Sequence, residues 1–74
     1  EDDLSQLFDG DHQEVRVALG ALNDRYQRAI DLRYLTGLSA EAAARAAGLT
    51  QPAFAVVLSR ALKALRRELE RMAP

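Results

Sequence analysis

The stretch Ser39-Ala40-Glu41-Ala42-Ala43-Ala44-Arg45-Ala46-Ala47-Gly48-Leu49-Thr50-Gln51-Pro52 decides the fold. Ser39 has the side chain of an N-cap, able to accept a hydrogen bond from a free backbone N–H of the first helical turn. Glu41 follows where a carboxylate suits the positive end of the helix dipole. The alanines between favour helix, and Gly48 ends it. Thr50 offers a second cap, and Pro52 falls in the first turn of the next helix, where its missing N–H is not needed. The spacing predicts a short helix over 40–47, a turn at Gly48 and a new helix from about residue 51. Ala44 is small enough to let that second helix approach.

Outward from this stretch, the last helix is expected to run to about Met72. At 100° per residue, Phe54, Leu58, Ala61, Leu65, Leu69 and Met72 fall on one stripe, the face to be buried. Pro52, Ala53, Val56, Ser59, Arg60, Lys63 and Arg67 face the other way. Upstream, Tyr26, Ala29, Ile30, Arg33 and Tyr34 belong to a helix that stops near Gly37, with Asn23 or Asp24 as its N-cap. A first helix is expected from Asp11 to about Leu22, with Val15, Ala18, Leu19 and Leu22 on one face. Residues 1–10 form an acidic leader or linker, whose Leu4, Leu7 and Phe8 have the spacing of a docked turn; residues 11–74 form the folded domain. The fold class is all-α: a compact bundle of three to four helices containing a helix-turn-helix, with a long C-terminal helix and no strand.

Seventy-four residues allow one domain at most, near the lower limit for a single apolar core. Without cysteine there is no disulfide framework and no zinc-thiolate site, and a cytoplasmic setting fits best. The apolar runs are far shorter than the ~20 residues that cross a bilayer, and no signal peptide is visible, so no membrane partner is expected. The chain opens at Glu1 without methionine and closes on Arg71-Met72-Ala73-Pro74, so a piece from the C-terminal end of a longer protein is expected. Charge divides unevenly along the chain. Glu1 to Asp24 carries seven acids against Arg16 alone, and Arg25 to Pro74 carries nine bases against four acids. A basic helical body suggests a polyanionic partner.

Short helix, glycine turn, long helix is the arrangement of a helix-turn-helix, which alone fits a nucleic-acid reader and a plain αα-hairpin equally well. A longer pattern adds to it: Ala21-Leu22-Asn23-Asp24-Arg25-Tyr26, Leu32-Arg33-Tyr34-Leu35-Thr36-Gly37-Leu38-Ser39-Ala40-Glu41, Ala44, Gly48-Leu49-Thr50, and Ser59-Arg60-Ala61-Leu62-Lys63-Ala64-Leu65-Arg66-Arg67-Glu68-Leu69. Taken together, over roughly residues 15 to 70, it resembles region 4 of the bacterial sigma factors. LuxR-type DNA-binding domains share the Gly-Leu-Ser start but usually lack the Arg-Ala-Leu-x-x-Leu-Arg ending.

The resemblance implies a role in transcription initiation: the last helix would enter the major groove of the −35 promoter element while the domain grips the β flap of RNA polymerase. It places DNA contacts at Gln51, Pro52, Ala55 and Val56, with Arg60 and Lys63 further along, and phosphate contacts at Arg25 and Arg28 at the start of an earlier helix, where a solvated surface role fits equally well; Arg67 and Ser39 complete the candidate DNA-binding residues. The sequence departs from the family at the reading positions. Direct readout uses side chains matched to base-edge donors and acceptors, and of the first four positions only Gln51 supplies them. A second reading therefore stands beside the first: a degenerate sigma-like module whose Pro52, Ala53 and Val56 dock a protein, namely a polymerase subunit, an anti-sigma-type regulator or another copy.

Other residues have plainer roles. Arg33 is expected to make a structural ion pair, with Glu41 as the candidate partner, and Tyr26 and Tyr34 to pack in or around the core. Ala43, Ala46 and Ala47 are small for their positions, leaving space for Phe54 and Val57. The run Arg60, Lys63, Arg66, Arg67 and Arg71 reads equally as a backbone grip or a solvated face. His12 has no second His or Cys to build a metal site with, no nucleophile-base arrangement exists, and neither a cofactor nor an enzyme activity is expected.

Overall fold

The apolar period of the second half produces one helix of 22 residues, Gln51–Met72 (α4), and each of the other three α-helices packs on it. The computed structural model describes residues 13–72. Ahead of α4 come α1 (Gln13–Gly20), α2 (Asp24–Ile30) and α3 (Ala40–Ala47), with no strand among the described residues. The leader, Asp11 and His12 lie outside them, and α1 ends at Gly20, two residues short of the Leu22 limit in the sequence reading.

Asn23 is the N-cap of α2: its side-chain oxygen accepts from the Tyr26 N–H at 2.9 Å. The Gln27 amide donates to the Leu22 carbonyl at 2.8 Å and closes the α1–α2 corner. From Asp31 to Leu35 the chain continues α2 as a π-helical segment, a widening that nothing in those five residues announces. The Thr36 N–H donates to the Asp31 carbonyl at 2.7 Å, and Gly37, at φ 85°, turns the chain towards α3.

Two apolar clusters form the core. Val15, Ala18, Leu19, Leu22, Ile30, Ala61 and Leu65 make one, with Tyr26 and Tyr34 half-buried against it. Ala29, Ala43, Ala44 and Phe54 make the other, with Ala47 and Val57 packed alongside, so the space at Ala43 and Ala47 is filled from α4 as the sequence suggested, whereas Ala46 is exposed. Leu58 touches both clusters. Among the described residues no polar or charged group is buried.

Three expectations change. Met72 is 41% exposed, on the rim of an open groove beside the start of α1, and Leu58 and Leu69 are half-buried. Ala53, expected on the outer face, is half-buried. Arg33 does not pair with Glu41. Its guanidinium donates to the Leu38 carbonyl at 3.2 Å and lies 5.6 Å from the centre of the Tyr34 ring, while Glu41 is taken one turn along by Arg45 at 3.1 Å. A backbone carbonyl freed by the turn at Gly37 and a neighbouring ring satisfy a planar cation within its own segment, and an i,i+4 partner does the same for Glu41.

Candidate nucleic-acid interface

The relation between α3 and α4 rests on two caps and one turn. Ser39 Oγ accepts from the Ala42 N–H at 3.1 Å, and Thr50 Oγ1 from the Ala53 N–H at 3.2 Å. Between them Gly48 adopts φ 75°; its N–H donates to the Arg45 carbonyl and the Leu49 N–H to the Ala44 carbonyl, the paired bonds of a Schellman turn. A Cβ on Gly48 would meet nothing within 4 Å, so the left-handed backbone, not space, requires glycine here. Ala44, 2% exposed, and Ala43 let Phe54 come down against α3. These contacts hold the start of α4 at the surface.

That start presents Gln51, Pro52, Ala55 and Val56, all exposed, with Val56 at 49%. Val56 lies about 200° round the helix from Phe54, so core packing gives no reason for an apolar side chain there. Further along the same side stand Ser59, Arg60, Lys63 and Arg67, also exposed. The three cations follow at spacings of three and four, which puts them on one stripe. None of them forms an ion pair among the described residues, whereas Arg45 and Arg71 are each paired within their own helix.

The structure brings Arg25 and Arg28 to this region as well. With Ala29, Ala47, Leu49, Phe54 and Val57 they line a recess of about 220 Å³ between the start of α2 and the turn into α4. Arg28 also has a task inside the fold: it donates to the Ala46 carbonyl at 3.1 Å, at the C-terminal end of α3 where a cation is favoured by the helix dipole. Arg25 makes no such bond. Ser39 is spent as a cap acceptor, although its hydroxyl proton can still serve an outside acceptor.

Sequence reasoning passed over Leu49, 37% exposed on the edge of the recess, because a residue just after a C-terminal glycine ordinarily packs back on its own helix. It also passed over Val17, 58% exposed, which lies off the stripe of α1 and shares an open groove with Gln13, Glu14 and Met72. Among the described residues no group of three or more His, Cys, Asp or Glu side chains could hold a metal ion, and no helix is long and apolar enough to cross a membrane.

Comparison with curated proteins and with solved structures gave no match. The family model described as Sigma-70, region 4 matches residues 12–65, a span that takes in α1, α2, the π-helical segment, α3 and most of α4. A helix-turn-helix held by Ser39, Gly48 and Thr50, with exposed cations along its second helix, is the frame such a domain needs. The chain belongs to the Sigma-70, region 4 family, whose members are DNA-binding domains of transcription and not enzymes.

Proposed function

We propose that this domain acts in transcription initiation by holding the β flap of RNA polymerase while the start of α4 enters the major groove of the −35 promoter element. The observation that carries this reading is the exposed first turns of α4, flanked by Arg25 and Arg28 and followed by the exposed stripe Arg60, Lys63, Arg67. In a helix-turn-helix the N-terminal residues of the second helix meet base edges. Cations on either side of them then lie against phosphates, which fix position and supply most of the affinity. Its place of action is the cytoplasm, and an anti-sigma-type regulator would compete for the same surfaces.

A second reading, docking of a protein through Pro52, Ala53 and Val56, draws on the exposure of Val56 but has little help from half-buried Ala53. The two readings separate in a titration against promoter duplexes and against a β-flap fragment at several salt concentrations. For promoter binding, log K should fall linearly with log salt, and Arg60→Ala should reduce the slope by about 0.9 if it removes one phosphate contact. Binding to neither duplex nor flap would defeat the proposal. Binding to flap alone, lost on Val56→Asp, would give the face to a protein.

A further inference from the structure

We infer that the start of α4 reads thymine methyl groups, with Ala55 and Val56 against the methyl edge of A·T pairs and Gln51 bonded to an adenine. This rests on the −35-binding role proposed above and names what that site prefers. Of the four exposed side chains at the start of α4, only Gln51 offers both a hydrogen-bond donor and an acceptor, the set that matches adenine N7 and N6. The other three are apolar and small.

Size and polarity both bear on the choice. A helix with its side chains is about 10–12 Å across and the major groove about 12 Å wide, so long side chains hold a helix backbone away from the groove floor. Pro52, Ala55 and Val56 do not, which lets the helix lie deep enough for van der Waals contact with a C5-methyl group. Facing a G·C pair, the same side chains would cover guanine N7 and O6 and the cytosine amino group without offering any partner, and a polar group dried without a partner is costly. Thymine is the base whose major-groove edge carries an apolar group. The face therefore favours A·T by attraction and disfavours G·C by desolvation.

Charge decides between DNA and a protein as occupant. Arg25 and Arg28 lie beside the start of α4 and Arg60, Lys63 and Arg67 beyond it, so the apolar patch is small and bordered by cations on the elements around it. A stable protein interface needs about 800 Å² per partner with charge depleted at its centre. A few small side chains inside a border of arginines suit a polyanion with methyl groups on its groove floor.

The test uses the 74-residue chain and four short duplexes: an A·T-rich centre, the same with deoxyuridine for thymidine, a G·C-rich centre, and the same with 5-methylcytosine for cytosine. Affinities are measured by fluorescence anisotropy at one salt concentration. Each methyl in contact should raise affinity about three- to fivefold, the effect of burying one methyl-sized group. Thymidine should therefore exceed deoxyuridine, and 5-methylcytosine should exceed cytosine. Val56→Ala, at an exposed position that leaves the fold intact, should lower the thymidine-to-deoxyuridine ratio towards the part carried by Ala55, without changing the salt slope. Equal affinity for the thymidine and deoxyuridine duplexes would mean that no methyl is read, and would overturn the inference while leaving promoter binding in place. Equal affinity for all four duplexes would overturn it as well. Failure to bind any duplex would instead overturn the proposed function, and the inference with it.

Discussion

Phe54 is the side chain on which the relative placement of α3 and α4 depends. It is 1% exposed and sits in a socket of Ala29, Ala43 and Ala44, a large ring fitted to three small residues from two other helices. Phe54→Ala should cost ~3–5 kcal/mol, enough to unfold much of so small a domain, and a circular-dichroism melt would show it. The two arginines of α2 should part company under substitution. Arg28→Ala removes the brace to the Ala46 carbonyl as well as a cation, so melting midpoint and DNA affinity should both fall; Arg25→Ala should lower DNA affinity alone. The Phe54 socket was legible from the sequence, because small residues in α3 and a large one in α4 are complementary volumes. The partner of Arg33 was not. Its acceptor is the Leu38 carbonyl, a backbone atom whose position depends on how the chain turns at Gly37, and residue types alone carry no such path.

Among the elements, α3, the turn and α4 followed the sequence closely because each boundary has its own chemistry: Ser39 and Thr50 as caps, Gly48 at positive φ, Pro52 in the first turn of α4. Gly48→Ala should destabilise by ~1–2 kcal/mol, since the open space around it does nothing to relieve the left-handed backbone. Ser39→Ala should cost ~1 kcal/mol through the lost cap bond to Ala42. Urea unfolding of the two variants would measure both. The π-helical segment Asp31–Leu35 was illegible for a physical reason: its side chains suit a four-residue hydrogen-bond step as well as a five-residue one, and the wider step is recorded only in backbone bonds such as that from Thr36 to Asp31. The outer face of α4 was read correctly over its cations and misjudged at Ala53, which lies near the boundary between the two faces.

At the scale of the whole molecule, 38 × 22 × 18 Å in extent, the long helix joins two clusters that would each be too small to stand alone. Leu58 is in contact with both, so Leu58→Ala should remove about 2 kcal/mol or more despite half-burial, and lower the melting midpoint as a single transition without splitting it. Two separate transitions would mean that the halves fold independently. The uneven charge, legible at once in the sequence, corresponds in the fold to the exposed cations of α2 and α4. What the acidic leader does lies outside the described residues.

The core, free of polar and charged groups among the described residues, has a practical consequence for every titration suggested above. Its cohesion comes from apolar burial, which moderate changes in ionic strength leave nearly untouched, and the two ion pairs are solvent-exposed or partly so. A salt series on this domain therefore varies the attraction between protein and ligand while holding the folded fraction constant. The slope it yields counts released counterions directly, without a correction for unfolding.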